Sequence, residues 1–374
     1  MSGDELIFLV VVAARLGIPL LIFRYPLPAI LAALVIDAAD QTIFQNNTDL
    51  DLTGYQGYDK ALDVYYLAIA YMSTFRNWRD PFAARVAQGL WYYRLIGVVA
   101  FELSQVRALL LIFPNTFEYF FIAYEVVRLG WNPERLSHRQ IVGLAAFIWI
   151  FIKLPQEWWI HIAKLDFTDF MKEDVFGVTA ETSWGDAISE NLWFVVLMVV
   201  LVVGVVFLVR WVLRTAPPPD WSWSVDVTAH PQSTRVDAAP ERVHLLEWDA
   251  VEKAVLASLI AVIFGNVLPS SDASPLQLTI SVSLIVAANA VVSQWLARRG
   301  RSWESTARQY GAMLVVNAVI VIAYVIFFRQ GDIDGRAALF FLFLLTLIVT
   351  LYDRYRPLRA AGYPPIEHAV QPTA

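Results

Sequence analysis

One continuous apolar segment constrains this chain more than any other feature. Residues 192–209 read LWFVVLMVVLVVGVVFLV and include no charged or amide side chain. About 20 predominantly apolar residues are enough for a helix to cross the hydrocarbon core of a bilayer. A membrane-spanning β-strand instead alternates apolar and polar residues, and this segment does not. It therefore predicts a transmembrane helix.

Similar segments recur along the whole chain. Of its 374 residues, 58% are hydrophobic and 17% are charged, whereas soluble domains hold about 45–50% apolar and about 25% charged residues. The segments long and apolar enough to cross a membrane are 5–23, 27–44, 61–77, 88–104, 108–128, 141–160, 191–210, 250–268, 275–296, 309–328 and 337–352. The predicted fold class is an all-α, polytopic integral membrane helix bundle with about eleven transmembrane helices.

The distribution of arginine and lysine predicts the orientation of this bundle. If the N-terminus lies outside, the inner connections hold 18 of these cations and the outer connections hold 6. Cytoplasmic loops of membrane proteins carry the excess of positive residues, so we expect an outside N-terminus and a cytoplasmic C-terminus. The acidic start, MSGDE, is unlike the positive leader of a signal peptide and predicts that the first helix is retained.

Composition also narrows the setting and the chemistry. Arginine supplies 23 of the 28 cations, a bias typical of GC-rich bacterial genomes, so we expect a multi-pass protein of the bacterial plasma (inner) membrane. The net charge of −6 does not favour nucleic-acid binding; membrane lipids and other membrane subunits are the expected partners. The chain has no cysteine, P-loop, GxGxxG or GxSxG motif, so no cofactor and no metal are predicted.

A proline-rich interval divides the predicted spans into two groups. Residues 216–243 contain five prolines and many small polar residues, a composition that buries little apolar surface. The predicted organisation is a seven-helix transmembrane part with buried charges at 1–214, a Pro-rich cytoplasmic linker at 215–246, a four-helix apolar transmembrane part at 247–356 and a cytoplasmic tail at 357–374. Trp221 and Trp223 are expected to dock the linker at the membrane interface, where tryptophan is enriched.

Ionisable residues within the spans are concentrated in the N-terminal part. A charge at the bilayer centre costs about 2.5–3.5 kcal/mol on insertion scales, so these side chains are expected to face one another or water. The predicted polar pathway consists of Asp37, Asp40, Arg15, Arg94, Glu102 and Glu118. Antiparallel neighbouring helices predict that Arg15 meets Asp37 or Asp40, and that Arg94 meets Glu118 or Glu125. Structural ion pairs that fix helix packing are the alternative interpretation.

Two prolines inside predicted spans are expected to distort the helix. Pro114, within 113-FPNTFEYFF-121, is expected to kink or interrupt the fifth span and to leave backbone groups exposed beside Glu118. Pro155 is expected to kink or end the sixth span.

The segment that follows Pro155 has a distinctive pattern. Lys153, Glu157 and His161 recur at four-residue steps, which places them on one helix face. The tryptophans and phenylalanines of 153–172 also suit an amphipathic helix on the outer leaflet.

Three functions are compatible with these patterns. The first is a transporter or channel-like protein with a proton- or cation-linked polar pathway, because carboxylates in excess of cations can carry protons. The second is a membrane enzyme acting on a lipid or lipid-linked substrate, with Glu157 and His161, helped by Asp63 or Asp166, in acid–base roles. The third is a non-catalytic subunit of a membrane complex. A metal site that adds Asp169 to this group is disfavoured, because no second histidine is nearby.

Overall fold

A computed structural model describes residues 3–48, 55–164, 169–179, 181–229, 248–267, 303–328 and 335–360. Within these ranges the chain is helical and has no strand, which confirms the all-α class. The main helices are α1 (Gly3–Leu20), α2 (Pro26–Asn47), α3 (Tyr55–Asn77), α4 (Pro81–Ser104), α5 (Ala108–Ile112), α6 (Thr116–Arg128), α7 (His138–Phe147), α8 (Trp184–Glu190), α9 (Leu192–Thr215), α10 (Trp248–Val267), α11 (Trp303–Phe328) and α12 (Gly335–Ala360). The predicted stretch 275–296 lies outside the described residues; the other predicted spans coincide with these helices.

Capping signals in the sequence set the start of two of these helices. α4 begins after Asp80, whose carboxylate accepts a hydrogen bond from the backbone N–H of Phe82 at 2.8 Å. α7 begins with a capping box in which Ser137 and Gln140 each bond the other's backbone N–H. Both caps satisfy donors that a helix start would otherwise leave unpaired.

Five helical segments in the described part are long and apolar enough to cross a membrane. They are Gly3–Phe23, Pro26–Phe44, Ala108–Arg128, His138–Ile162 and Leu192–Thr215. The last of these is α9, which has a mean hydropathy of 3.3 and no buried side chain. A helix that is apolar on every side and exposed on every side is suited to lipid. These segments support a helical membrane protein.

α3 is the central helix of the bundle. It contacts α1, α2, α4, α10 and α12, and its side chains from Ala61 to Phe75 are almost all buried. A helix surrounded by protein need not be apolar, because its polar groups meet partners instead of lipid. This explains why α3, which carries Asp59, Lys60 and Asp63, is not among the five apolar segments.

The N-terminal helices run alternately between two ends of the bundle. Asp63, near the start of α3, marks one end, and Arg128, at the end of α6, marks the other; they are named the Asp63 end and the Arg128 end below. At the Asp63 end, Lys60 of α3 pairs with Glu102 near the end of α4 at 3.0 Å. α3 and α4 are therefore antiparallel.

The C-terminal helices pack on the same core. Near the start of α12, Phe341 stacks on Tyr58 of α3 with ring centroids 5.8 Å apart, and it also contacts Phe264 near the end of α10. Near the end of α12, Arg356 bonds Glu252 at the start of α10 at 3.0 Å. α12 thus runs parallel to α3, and α10 runs antiparallel to both.

α11 is joined to α12 by polar side chains inside the packing. Asn317 donates to Thr346 at 2.8 Å, and Thr350 donates to the sulfur of Met313 at 3.3 Å. Met313 pairs with Thr350, whereas Asn317, later in α11, pairs with Thr346, earlier in α12. The two helices are therefore antiparallel. Hydrogen bonds of this kind help to hold helices together in membranes.

Residues 216–229 form an ordered strap across the Arg128 end. The indole of Trp221 donates to the backbone carbonyl of Arg128 at 3.2 Å, and Asp226 pairs with Arg24, which lies between α1 and α2, at 2.9 Å. The sequence predicts a linker over 215–246 that Trp221 and Trp223 dock at the membrane interface. In the described part, residues 216–229 are held to the Arg128 end by hydrogen bonds and ion pairs, and residues 230–247 lie outside the described part of the chain.

Candidate functional site

Arg15 of α1 lies at the centre of four carboxylates. Its Nη1 donates to Asp40 of α2 and Asp59 of α3, and its Nη2 donates to Asp37 of α2 and, at 2.8 Å, to Asp63 of α3. The Arg15 and Asp40 side chains are buried, whereas those of Asp59 and Asp63 are 38% and 39% exposed. A guanidinium has five N–H donors and can serve several carboxylates at once. The cluster joins three helices and is open at the Asp63 end.

The predicted contacts of Arg15 with Asp37 and Asp40 of α2 are both present. α3 adds two further carboxylates to the same cluster. α3 begins at Tyr55. Hydropathy predicts a later start, at residue 61, because the charged Asp59 and Lys60 precede the apolar run. Asp59 and Asp63 are one helical turn apart and so face Arg15 together.

The cluster carries an excess of negative charge. One guanidinium faces four carboxylates, and single carboxylate oxygens of Asp37, Asp59 and Asp63 lie within 4.8 Å of one another. Carboxylates this close repel each other when all are ionised, so they favour sharing a proton or a cation. The sequence does not predict this grouping, because Asp59 falls outside the expected span.

The fifth predicted span is interrupted at Pro114, as the sequence predicts, and forms the two helices α5 and α6. The carbonyls freed at the interruption are bonded by α4: Tyr93 donates to the carbonyl of Ile112 at 2.7 Å, and Arg94 donates to that of Phe113 at 3.1 Å. Irregular backbone at membrane depth requires such protein partners.

Arg94 forms no ion pair with Glu118 or Glu125 within the described residues, although it lies close enough to Glu118 to interact with it electrostatically. Glu125 instead accepts two hydrogen bonds of 2.8 Å from Arg128. Matching Arg94 by depth alone takes no account of the interruption expected at Pro114. Arg94 bonds the carbonyl of Phe113, which the interruption leaves without a helical partner.

Glu118, in the first turn of α6, is buried and bonded through both carboxylate oxygens. Tyr66 of α3 donates to Oε1 at 2.7 Å, and the side-chain amide of Asn115 donates to Oε2 at 2.8 Å. The backbone N–H of Asn115 donates to Glu157 of the neighbouring helix at 3.4 Å. The start of a helix also favours negative charge through its dipole.

α7 is distorted where it faces this interruption. Its helical path continues to Ile162, but Ile148–Lys153 and Trp158–Ile162 are π-helical, and Pro155 lies in the short α-helical turn between them. The kink or end predicted at Pro155 is therefore a change of helix type within a continuous helix. π-Helical segments are frequent at functional sites.

Lys153, Glu157 and His161 share one face of this helix, as predicted. Glu157 lies 3.9 Å from Nζ of Lys153 and 3.0 Å from Nε2 of His161. Lys153 also donates to Gln156 at 2.9 Å and lies over the ring of Tyr119 at 4.4 Å. Lys153 and Glu157 are buried and His161 is partly exposed, so the face leads from the interruption to the surface.

Tyr66 connects this face with the carboxylate cluster. Its hydroxyl bonds Glu118, and Asp37 and Asp63 lie close enough to interact with it electrostatically. Asp63 and Tyr66 are three residues apart on α3 and therefore share a face. The whole set is named the polar row; its members are Arg15, Asp37, Asp40, Asp59, Asp63, Tyr66, Asn115, Glu118, Lys153, Glu157 and His161.

An aromatic layer lies between the polar row and the charges at the Arg128 end. Ring centroids of neighbouring members are 5.6 to 6.1 Å apart. The members, all buried, are Tyr71, Trp78, Trp91, Phe117 and Phe121. Beyond the layer, Glu125 accepts a hydrogen bond from the indole of Trp78 at 2.6 Å. The layer closes the row toward the Arg128 end with apolar surface.

Glu252 of α10 forms a separate buried cluster on that side. It accepts hydrogen bonds from Tyr71 at 2.6 Å, Gln88 at 2.8 Å and Arg356 at 3.0 Å. These contacts tie α3, α4, α10 and α12 together. The two groups of spans that the sequence separates are thus in contact through charged side chains as well as apolar ones.

Two further predicted site residues are not part of the row. Glu102 pairs with Lys60 at 3.0 Å, and no hydrogen bond within the described residues joins it to Glu118. Asp166 lies outside the described residues.

Comparisons with known proteins provide no family for this arrangement. No protein-family model, no curated protein and no solved structure matches the chain.

Proposed function

We propose that this protein is an integral membrane transporter or channel-like protein that moves protons along the polar row. The observation that carries the proposal is the run of titratable side chains Tyr66, Glu118, Glu157 and His161, in which Asn115 bonds both Glu118 and Glu157 and so holds them close to each other. Titratable side chains inside a membrane bundle are characteristic of ion pathways and proton relays. The carboxylates in excess around Arg15 would hold protons at the far end of the row.

We further propose eleven crossings, an outside N-terminus and a cytoplasmic C-terminus in a bacterial plasma membrane. The alternating helix directions support this topology, as does the excess of inner cations. The Asp63 end would then face outward, and the aromatic layer would close the row toward the cytoplasm. The described conformation would correspond to the outward-connected state of a carrier.

The contacts of Glu157 favour this function over lipid chemistry. A membrane enzyme would need Glu157 and His161 to be accessible to a substrate. The Glu157 carboxylate is buried and already contacts Asn115, Lys153 and His161, which suits a group that passes protons to fixed neighbours.

The first prediction concerns Glu118. Glu118→Gln keeps the size of the side chain and one accepting oxygen but removes its ability to bind and release a proton. We expect proton flux into liposomes containing the purified protein, driven by an imposed pH gradient and read with an internal pH dye, to fall to the level of protein-free liposomes.

The matched control is Glu190→Gln, the same chemical change at an exposed position of α8, and it should retain the wild-type flux. Wild-type liposomes that admit protons no faster than protein-free liposomes would contradict the proposed function. So would a Glu118→Gln variant that conducts as the wild type does.

A further inference from the structure

Asn115 lies between two buried acids of the polar row. Its side-chain nitrogen donates to Glu118 at 2.8 Å and its backbone nitrogen donates to Glu157 at 3.4 Å. A neutral amide donates hydrogen bonds without giving up its proton. These two bonds therefore hold the acids in place but do not pass protons between them. A separate proton carrier is needed at this step.

The side-chain oxygen of Asn115 is a buried acceptor. Asn115 is 8% exposed, and its Oδ1 has no hydrogen-bond donor among the described residues. Buried polar side-chain atoms in proteins nearly always have a protein or water partner. Exchanging the oxygen and nitrogen of the amide would not help, because the oxygen would then face the carboxylate of Glu118. The position requires a donor from outside the side chains.

The local charges favour a neutral donor over a metal cation. Lys153 lies 3.9 Å from Glu157, and both Lys153 and Arg94 interact electrostatically with Glu118. Two cations therefore accompany two carboxylates at this point. A sodium ion would bring a further positive charge beside them, whereas a water molecule supplies the donor without adding charge.

The interruption between α5 and α6 provides the partners that a water molecule needs. Helix starts have backbone N–H groups without intrahelical acceptors, and ordered water commonly bonds backbone at such interruptions. A buried water makes about three hydrogen bonds. Asn115 bonds both Glu118 and Glu157, so the acceptors of all three residues lie beside the interruption.

We propose that a water molecule bound to Oδ1 of Asn115 carries protons between Glu157 and Glu118. The inference rests on the proposed function and names the carrier for one step of it. In that step the protonated carboxyl of Glu157 gives its proton to the water oxygen as the water gives one of its own protons to the Glu118 carboxylate. The water is regenerated, and the net change is the transfer of one proton.

The test compares two substitutions of Asn115. Asn115→Leu has a similar size and no acceptor, whereas Asn115→Ser keeps an oxygen that can bind water. Proton flux in liposomes is measured together with infrared difference spectra after a pH step, recorded in ordinary water and in water labelled with a heavy oxygen isotope. We expect Asn115→Leu to lose both the flux and the isotope-sensitive water band, and Asn115→Ser to retain both.

An Asn115→Leu variant that conducts protons as fast as the wild type would overturn the proposal that a bound water carries the proton. If Glu118→Gln is inactive in the same experiment, the proposed function stands; if Glu118→Gln also conducts, both proposals fall. If the flux through the wild-type protein requires sodium, the carrier at this step is a metal ion and not water, and the inference is overturned. Should Asn115→Leu fail to fold, as judged by gel filtration, the absence of an isotope-sensitive band in the wild type and Asn115→Ser would overturn it.

Discussion

Arg15 bonds more carboxylates than any other residue of the polar row. It is buried at the meeting point of three helices, and its guanidinium bonds four carboxylates. Removing one member of a buried ionic group leaves the others desolvated and uncompensated, which typically costs about 3–5 kcal/mol. Without Arg15, the two carboxylates of α2 and the two of α3 would face one another.

We therefore expect Arg15→Ala to lower the free energy of unfolding by about 3–5 kcal/mol, measured by denaturant unfolding of the protein in mild detergent. Asp40→Asn, introduced into the Arg15→Ala background, should restore part of the loss because it removes a buried, uncompensated charge. An Arg15→Ala protein as stable as the wild type, or no recovery in the double variant, would show that the cluster does not need the cation.

At this scale the sequence predicts some contacts and misses others for a physical reason. Arg15 and its partners on α2 follow from the depth of each residue in two continuous helices. The partner of Arg94 does not follow, because depth matching assumes that α5 and α6 are one straight helix. The interruption at Pro114 and Asn115 beside Glu118 follows from the sequence, but the hydrogen bonds that Asn115 donates to Glu118 and Glu157 do not; a polar residue directly after a proline in mid-span is the signal that points to them.

At the scale of elements, the packing of α4 on the interruption depends on a glycine. A Cβ atom added at Gly97 would lie 2.1 Å from Cβ of Phe113, well inside van der Waals contact. The absence of a side chain at Gly97 thus lets Phe113 approach α4, next to the carbonyl that Arg94 bonds.

Gly97→Ala should therefore destabilise the protein by about 1–3 kcal/mol, the usual range for overpacking a buried position. Gly89→Ala on the same helix is the matched control: it has no atom within 4 Å of the added Cβ and should be neutral or stabilising by up to about 1 kcal/mol. Melting temperatures of the two variants test this. Equal effects at both positions would mean that α4 does not pack on Phe113 as described.

Element boundaries are predicted well where hydropathy changes sharply and poorly where charges are buried. α9 begins within one residue of the predicted 191–210 and ends at Thr215, five residues beyond it; the sharp change to apolar residues after Asn191 marks its start. α3 starts earlier than predicted because the side chains of Asp59 and Asp63 meet Arg15 rather than lipid. Hydropathy measures a residue's preference for lipid, so it does not recognise helix positions at which a charged side chain is buried against protein.

At the scale of the whole molecule, the strap links sequence-distant parts of the Arg128 end. The backbone N–H of Val227 donates to the carbonyl of Arg24 at 3.0 Å, beside the ion pair between Arg24 and Asp226. Slight burial of Asp226 favours a higher pKa, but hydrogen bonds from Arg24 and Thr228 outweigh it and lower the pKa of Asp226 from 3.8 to about 2.

The sign of this shift predicts how the strap responds to acid. Because the pKa of Asp226 is lower in the folded protein, its contribution is fully present above pH 3.8 and is lost as the pH falls through about 2. Hydrogen-exchange protection of the Val227 amide should decrease over that range in the wild type. Asp226→Asn should show lower protection without this pH dependence; identical pH profiles for the two proteins would exclude the ion pair as a source of strap stability.

The overall architecture is the part that the sequence predicts best. A helical membrane bundle follows from long apolar segments, since only helices satisfy their backbone in such runs. The strap does not follow, because its order comes from hydrogen bonds to loops far away in sequence. The composition of a proline-rich segment indicates how much apolar surface it can bury by itself. It does not indicate the hydrogen-bond and ion-pair partners that other parts of the bundle provide.

α9 has a consequence for how this chain can change over evolutionary time. None of its side chains is buried. At its start Trp193 and Phe194 contact Phe176, and exchanges among leucine, valine and isoleucine in the exposed run that follows would open no buried cavity. Selection would act on the length and apolarity of α9 as a whole, so its sequence is free to drift while that of α3 remains fixed by its partners.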